Sequence, residues 1–250
     1  MALNNDNSKY DEANALFSAK RWDEALPILI DLLRTSNYYD TWYQTHYLVG
    51  QCYRFTEQIE EAIAALEKCL SLIRYGEDPK IYGSCYLALG IAYQLNGEYS
   101  KALDNFALGF QKDPDNYVID NSVGLTYRLM GNYSMALQAY NHSYGILIDN
   151  AVQTLNLGPL SAEAEQLENQ FVELLESGKL KSVLSSNLAF SIVCYNIGVI
   201  HAVSDNPGGA LIAFRDSIDN IPEGVEYDLP IKALENLLKN NTDESGLFHF

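Results

Sequence analysis

Apolar residues recur along the chain at spacings typical of short amphipathic helices that pack in pairs. The clearest example is the stretch 86–114, where Gly90 and Ala102 would let two helices approach closely and Asn96-Gly97 would form the turn between them. Large residues at the helical period would fill the seam: Tyr86, Leu89, Tyr93, Tyr99 and Phe106. Pro114 ends the second helix, because proline cannot continue one. The pattern predicts a helical hairpin.

The arrangement found in this hairpin returns at four other places. Each copy has a central alanine, a small residue twelve positions before it, a larger ring or apolar residue nine positions before it, and a large apolar residue four positions after it. The central alanines are Ala25, Ala62, Ala102, Ala136 and Ala210. They lie roughly 34 to 40 residues apart, except that the last interval is about twice as long. The recurrence indicates internal repeats.

This combination resembles the tetratricopeptide repeat, whose unit is a helix-turn-helix of about 34 residues. The resemblance implies an all-α fold, a right-handed α-α superhelix of about five helical hairpins, as a single domain over residues 1–239. The best copies contain Gly90 and Gly124, while Ala13 makes the first copy atypical and His201 stands at an aromatic position of the fifth. The predicted repeats are about 8–35, 42–75, 82–115, 116–149 and 190–223.

The long interval before the fifth repeat predicts a helical insertion over about 145–181. We expect a prolonged second helix of repeat four, a turn at Gly158-Pro159, and one extra helix. That helix would carry one apolar face, formed by Leu167, Phe171, Leu174 and Leu175. A degenerate sixth repeat is the alternative. After the last repeat, residues 228–239 predict a capping helix with Ile231, Leu234, Leu237 and Leu238 on one side, and 240–250 predict a flexible tail.

The negative net charge of this chain argues against some classes of binding partner. Its 250 residues carry a formal net charge of −17, with only 16 Lys and Arg. Nucleic-acid binding needs clustered basic residues, and an anionic membrane surface repels an acidic protein. The N-terminal sequence has no basic start followed by an apolar run, and no apolar stretch approaches the ~20 residues of a membrane span. We expect no nucleic-acid partner, no membrane insertion and a cytoplasmic location.

Chemistry-bearing motifs are missing from the sequence. The four cysteines fall in predicted helices at irregular spacing, which favours buried free thiols over metal or disulfides. The histidines are scattered, and the clustered glutamates alternate with apolar residues as on a solvated helix face. No phosphate-binding loop or catalytic signature is present. We expect no cofactor, no metal and no catalytic activity.

The resemblance also implies a binding surface, because the first helices of successive repeats of this family line a concave groove. Carried over position by position, the groove residues are Tyr47, Gln51, Arg54, Leu87, Ile91, Gln94, Asn121, Leu125, Arg128, Tyr195 and Val199. This surface is apolar and aromatic, with amides and two arginines, and suits a partner peptide or protein segment with apolar anchors. Arg54 and Arg128 would pair an acidic group of the partner. The predicted function is a non-catalytic interaction scaffold.

Other interpretations remain open at this point. Family members that bind acidic EEVD-type chaperone tails use a clamp of five residues, of which only Asn14 is matched, so that ligand is not expected. The insertion or the tail could instead cover the groove. The chain could also be a self-assembling, homo-oligomeric module that stacks through its atypical first repeat, or a regulatory subunit of a larger complex.

Overall fold

A computed structural model describes residues 2–74, 76–155 and 177–241, with side chains from residue 6 onward. Over these residues the fold is all-α, with thirteen helices and no strand, as predicted. The chain forms two compact units, Met1–Asp115 and Asn116–Phe250. None of the described helices is both long enough and apolar enough to traverse a lipid bilayer.

The described residues of the first unit form seven helices, and three hairpins account for six of them. The helices are α1 Ala2–Ser18, α2 Trp22–Thr35, α3 Asn37–Asp40, α4 Tyr43–Phe55, α5 Ile59–Leu72, α6 Pro79–Leu95 and α7 Tyr99–Lys112. The hairpins pair α1 with α2, α4 with α5, and α6 with α7. The remaining helix, α3, is a single turn in the connection between the first and second hairpins.

The second unit contains six described helices. They are α8 Tyr117–Leu129, α9 Tyr133–Thr154, α10 Lys179–Leu184, α11 Leu188–Val203, α12 Pro207–Asp219 and α13 Leu229–Asn241. Two further hairpins pair α8 with α9 and α11 with α12, so the described residues contain five hairpins, where about five were expected. The tail was expected from residue 240, but α13 continues through Asn241; residues 242–250 lie outside the described part.

One contact holds the two helices of each hairpin at close range. A Cβ atom built on Gly90 of α6 would lie 2.5 Å from Cε1 of Phe106 on α7. Three other pairs show nearly the same distance: Gly50 with Leu66 at 2.6 Å, Gly124 with Tyr140 at 2.6 Å, and Gly198 with Phe214 at 2.5 Å. In the first hairpin Ala13 and Leu29 are both fully buried in one cluster. The small residue therefore accommodates the large one sixteen positions later.

In the turn of each hairpin, the residue five positions before the central alanine has a left-handed backbone conformation with positive φ. Gly97 and Gly131 hold it in the third and fourth hairpins, both with φ of 76°. In the other three hairpins the residue has a side chain: Lys20 at 60°, Glu57 at 62° and Asp205 at 56°. Residues other than glycine are sterically strained in this region. The backbone of the repeat therefore dictates the turn even where the sequence does not favour it.

The second helix of repeat four is prolonged, as predicted, and α9 spans 22 residues. Its last turns form a core with the short helix α10 and the start of α11, through Leu147, Leu180, Leu184 and Phe190. The sequence did not predict α10. The predicted extra helix with Leu167 and its neighbours lies outside the described residues.

The last helix, α13, packs on α12 and α11, as expected of a cap. Leu237 is buried in a cluster with Ala210 and Phe214, and Leu234 is partly buried beside it. The predicted single apolar face is only half correct, because Ile231 and Leu238 remain 43% and 37% exposed. These two side chains stay largely outside the cluster that Leu237 enters.

Candidate functional site

In the first unit, a row of three predicted groove residues runs along one face of α4. Tyr47, Gln51 and Arg54 lie four and then three positions apart, which keeps them on one side of a helix. Gln51 Nε2 donates a hydrogen bond to the Tyr47 hydroxyl at 2.9 Å, and Arg54 Nε donates one to Gln51 Oε1 at 2.8 Å. All three side chains are half-buried. The row is therefore preorganised and partly accessible.

The guanidinium of Arg54 lies in an aromatic setting. Its Cζ atom is 4.0 Å from the centroid of the Phe55 ring, and that ring stacks on Trp22 with centroids 4.1 Å apart. Burial lowers the pKa of Arg54, because desolvation disfavours its charge, and the nearby Tyr47 opposes this only in part. No carboxylate within the described residues forms an ion pair with Arg54. An anionic group from outside would relieve the cost of desolvation.

The third hairpin supplies an apolar strip from α6. Leu87 and Ile91 are half-buried, whereas Gln94, the third predicted residue of this helix, is buried at 7% exposure. Two positions after Ile91, the Tyr93 hydroxyl donates a 2.7 Å hydrogen bond to Glu67 of α5. Leu87 and Ile91 can contact a ligand as they stand, while Gln94 serves chiefly the interior of the unit.

In the second unit, the predicted residues on α8 have different roles. Asn121 accepts a 2.9 Å hydrogen bond from Asn196 of α11, so the first helices of the fourth and fifth hairpins are neighbours despite the insertion between them in sequence. Leu125 is half-buried. The Nε atom of Arg128 is buried without a hydrogen-bond partner among the described residues, and its guanidinium lies near Tyr140. Asn121 is thus occupied by packing, while Leu125 and Arg128 keep partly exposed side chains.

The two predicted residues on α11 face the cap. Tyr195 and Val199 pack with the cluster of Phe214 and Leu237, and the Tyr195 ring lies 6.0 Å from that of Phe214 and 6.2 Å from that of Tyr227. The side chains are half-buried in this position. They contribute to holding α13, which leaves them less surface for a ligand.

A second concave region was not predicted from the sequence. It lies in the second unit, where side chains of α9, α10, α11 and α12 surround a pocket of about 500 Å³ that includes Tyr144, Gly145, Leu180 and Asp216. A neighbouring pocket of about 300 Å³ shares Tyr144 and Asp216 and extends to His201. We call the two pockets together the cleft. Its one signal in the sequence is Gly145, a glycine inside a helical pattern.

The four cysteines are buried and free, as expected. Cys69 of α5 and Cys85 of α6 bring their Sγ atoms to 3.1 Å. This hydrogen bond and burial strongly raise the pKa of the Cys69 thiol. Burial likewise raises the pKa of Cys52 and of Cys194 to about 12. Such thiols stay protonated and pack as small apolar groups.

Comparison with known proteins gives a family match and a fold match. Residues 43–109, which contain the second hairpin and most of the third, match the tetratricopeptide repeat. A search of curated proteins by sequence finds no significant match.

Solved structures share the fold over most of the chain. TTC0263, described as a thermophilic TPR protein in Thermus thermophilus, is 13% identical with a TM-score of 0.58, over 93% of this chain and 99% of that one. YrrB, described as a TPR protein with an unusual peptide-binding site, is 17% identical with a TM-score of 0.54, over 91% and 90%. MamA is 16% identical with a TM-score of 0.55, over 83% and 93%.

The sequence match, the five hairpins and the shared fold agree. Residues 43–109 match the tetratricopeptide repeat by sequence, and solved TPR proteins share the fold over most of the chain. This fold class is associated with protein–protein interaction.

Proposed function

We propose that this protein is a non-catalytic scaffold that binds an extended or helical peptide segment. The peptide lies on the surface formed in the first unit by α4 and α6, which are the first helices of their hairpins. The observation that carries the proposal is the hydrogen-bonded row of Tyr47, Gln51 and Arg54 on α4. Ordered polar groups on a partly exposed helix face lose little entropy when they bind a ligand. The half-buried Leu87 and Ile91 of α6 supply apolar surface in the same unit.

The chemistry of this surface defines the ligand. Arg54 favours a carboxylate or phosphorylated side chain, because its charge is desolvated and unpaired by any described carboxylate. Leu87 and Ile91 favour a leucine-sized or aromatic anchor. In the second unit, Leu125 and Arg128 repeat the pair of one apolar residue and one arginine, so we assign them an analogous contact. YrrB, which shares the fold, is described as having a peptide-binding site, and this supports a peptide as the ligand. The cytoplasmic location stays a prediction from the sequence.

The experiment that tests the proposal is selection of peptides from a displayed random library on the wild-type protein. Peptides that bind the proposed face should carry an apolar anchor and an acidic residue. We expect Ile91→Glu and Arg54→Glu each to weaken their binding about tenfold or more, since each change removes a favourable contact and adds an unfavourable charge. Binding is measured by fluorescence polarisation of the synthetic peptides.

The matched control is Leu108→Glu, on the second helix of the same hairpin as Ile91. Leu108 is 41% exposed and lies outside the predicted groove, so the variant carries the same change of charge and chemistry in the same unit. It should bind the selected peptides as the wild type does. Equal binding by the wild type, Ile91→Glu and Arg54→Glu, with circular dichroism showing intact folds, would refute the proposal.

Self-assembly is a second candidate, and exposed apolar residues on the terminal helix favour it. Leu229 and Ile231 of α13 are 48% and 43% exposed, which leaves the cap with apolar surface of its own. Repeat proteins with a poorly covered end can stack on one another. If this surface joins two copies, the mass measured by light scattering rises with concentration for the wild type and not for Ile231→Glu. A concentration-independent monomer mass excludes this candidate.

A further inference from the structure

The cleft of the second unit has the composition of a binding site. Its floor is apolar, with Ile148, Leu180, Leu184 and Phe190 around the larger pocket. Its combined size, about 500 Å³ and about 300 Å³ in two pockets that share Tyr144 and Asp216, matches that of sites for a few large side chains. The cleft is formed by α9, α10, α11 and α12 of the second unit. It is therefore separate from the peptide-binding surface proposed on α4 and α6 of the first unit.

Gly145 leaves open space in the wall of the larger pocket. It lies in the interior of α9, where glycine costs roughly 0.5–1 kcal/mol relative to alanine. The glycines at the crossing points of four hairpins, Gly50, Gly90, Gly124 and Gly198, each make room for a large side chain. By contrast, apart from the neighbouring backbone of α9 itself, no atom of the described residues lies within 4 Å of a Cβ built on Gly145. Glycine also permits a ligand to approach the backbone closely. The missing side chain therefore leaves space on the wall of the larger pocket.

The rim of the cleft is acidic. Asp149 and Asp216 line the larger pocket, and Asp216 also lines the smaller one. Burial and the neighbouring Asp219 raise the pKa of Asp216, and Lys181 and Arg215 oppose this only in part. Lys181, the one Lys or Arg that lines either pocket among the described residues, is 3.8 Å from Asp219. The rim is therefore short of positive charge.

Charge decides among the possible occupants. Residues 156–176 contain five glutamates and no Lys or Arg, and residues 242–250 contain Asp243 and Glu244 and no Lys or Arg. A second copy of the chain carries a net charge of −17. All of these would bring like charge to an acidic rim, which is unfavourable. A basic segment of another protein is complementary to it.

We propose that the cleft binds a partner-protein segment that presents a leucine-sized or aromatic side chain flanked by Lys or Arg. The apolar side chain enters the larger pocket beside Gly145 and Tyr144. The basic residue pairs with Asp149 and Asp216 at the rim. The cleft thus selects a basic ligand, whereas the α4 and α6 surface selects an acidic one, and the two sites give the scaffold two ligand classes.

The test uses the same displayed random peptide library, with the intact chain as bait and two cleft variants. Gly145→Trp fills the larger pocket from its wall, and Asp149→Lys/Asp216→Lys reverses the charge of the rim. We expect a group of enriched peptides with a bulky apolar residue close to Lys or Arg. The charge reversal should weaken their binding about tenfold or more and should favour synthetic versions in which glutamate replaces the basic residues.

Two controls match these variants. Gln138→Trp adds the same side chain at an exposed position of α9 that lines neither pocket, and Asp104→Lys/Asp115→Lys makes the same change of charge at exposed sites of the first unit. Both should bind the basic peptides as the wild type does. Ile91→Glu should also leave this group unchanged, so failure of the cleft and failure of the α4 and α6 surface are separate results.

Three outcomes would overturn the proposal. The first is a selection that yields no peptide enriched in basic residues. The second is equal binding of such peptides by the wild type and Gly145→Trp. The third is occupation by the chain itself: a dimer in light scattering that Gly145→Trp abolishes indicates a second copy, and a large loss of stability in Gly145→Trp, without peptide binding by the wild type, indicates a segment of the same chain.

Discussion

Gly90 and Phe106 touch so closely that a single methyl group on Gly90 would lie 2.5 Å from the ring of Phe106. The ring is fully buried, and α6 and α7 are held together across it. The same relation joins Gly124 to Tyr140 and Gly198 to Phe214. It makes the glycine a determinant of how near the two helices of a hairpin can come.

Gly90→Ala should destabilise the protein by about 1–3 kcal/mol, because the added methyl group forces the Phe106 ring or the helix to move in a packed interior. Urea unfolding followed by circular dichroism measures this change. The double variant Gly90→Ala/Phe106→Leu should lose less than the sum of the two single changes, since the smaller leucine removes the clash. Additive losses would show that the Gly90–Phe106 contact is not the cause.

Gly145→Ala should have the opposite effect and stabilise the protein by about 0.5–1 kcal/mol. Gly145 lies inside α9, and the described residues leave open space around its Cβ position. The substitution therefore gains helix propensity without a clash. The same urea experiment compares it with Gly90→Ala, and a loss of stability in both variants would contradict the open space at Gly145.

Glu57→Gly should stabilise the second hairpin by about 0.5–1 kcal/mol, because glycine adopts a φ of 62° without the steric strain that a glutamate has there. Gly97→Ala, at the same register of the third hairpin, should destabilise by a similar amount. Thermal unfolding of the two variants beside the wild type measures both changes. Shifts of the same sign would contradict the shared turn geometry.

Ser217→Ala should cost about 0.5–1.5 kcal/mol, since a hydrogen bond buried between two helices is lost. The Ser217 hydroxyl of α12 donates to the backbone oxygen of Ser191 at 2.7 Å, and the Ser191 hydroxyl donates back to that of Ser217 at 2.8 Å. Both serines are fully buried. Ser134→Ala, at an exposed position of α9, is the control and should leave the urea midpoint unchanged.

Tyr140→Phe should make the protein more resistant to alkali. Burial raises the pKa of Tyr140 to about 12, and the nearby Arg128 opposes this only in part. No hydrogen bond of acceptable geometry reaches its hydroxyl from the described residues. A tyrosine in the unfolded chain ionises near pH 10, so between about pH 10 and 12 the wild type loses stability that was fully present at lower pH.

The size of this effect follows from the shift. Removing the hydroxyl should raise the free energy of unfolding by about 2 kcal/mol at pH 12, relative to the wild type. It should change that free energy little at pH 7, because the phenylalanine ring keeps the contact with Gly124. Tyr10, Tyr93 and Tyr144, whose pKa values are also raised to about 12, still titrate in the variant. Urea midpoints measured from pH 7 to 12 test the prediction. Parallel curves for the two proteins would contradict it.

The sequence predicts the hairpins well because their determinants are local. Gly90 and Phe106, or Gly198 and Phe214, stand at fixed spacing in one supersecondary unit, so the pattern alone identifies the crossing point. The face of α4 is equally local, and the row of Tyr47, Gln51 and Arg54 follows from the 4-then-3 spacing on one helix.

The partners of the groove residues and the position of the cleft depend on contacts between different hairpins. The spacing of residues within one hairpin does not predict such contacts. Asn121 was predicted to face a ligand but bonds to Asn196 of another hairpin, and Tyr195 packs against the cap. The cleft arises where α10 packs on α9, and no repeat signature includes α10. Gly145 is its one signal in the sequence, because this glycine lies inside a helix but not at the repeat position that holds Gly90 and Gly124.

The hydrogen bond that the Asn196 side-chain amide donates to Asn121 has a consequence for how the protein folds. It joins helices that are neighbours in space but are separated along the chain by the whole of α9, the insertion and α10. Hairpins that follow one another directly in sequence can dock as soon as each has formed, whereas the fourth and fifth hairpins must first bring together distant parts of the chain. The entropic penalty of this closure rises by only about 0.6 kcal/mol for each doubling of the intervening length. The last hairpin should therefore dock later than hairpins that follow one another directly, at a modest entropic penalty.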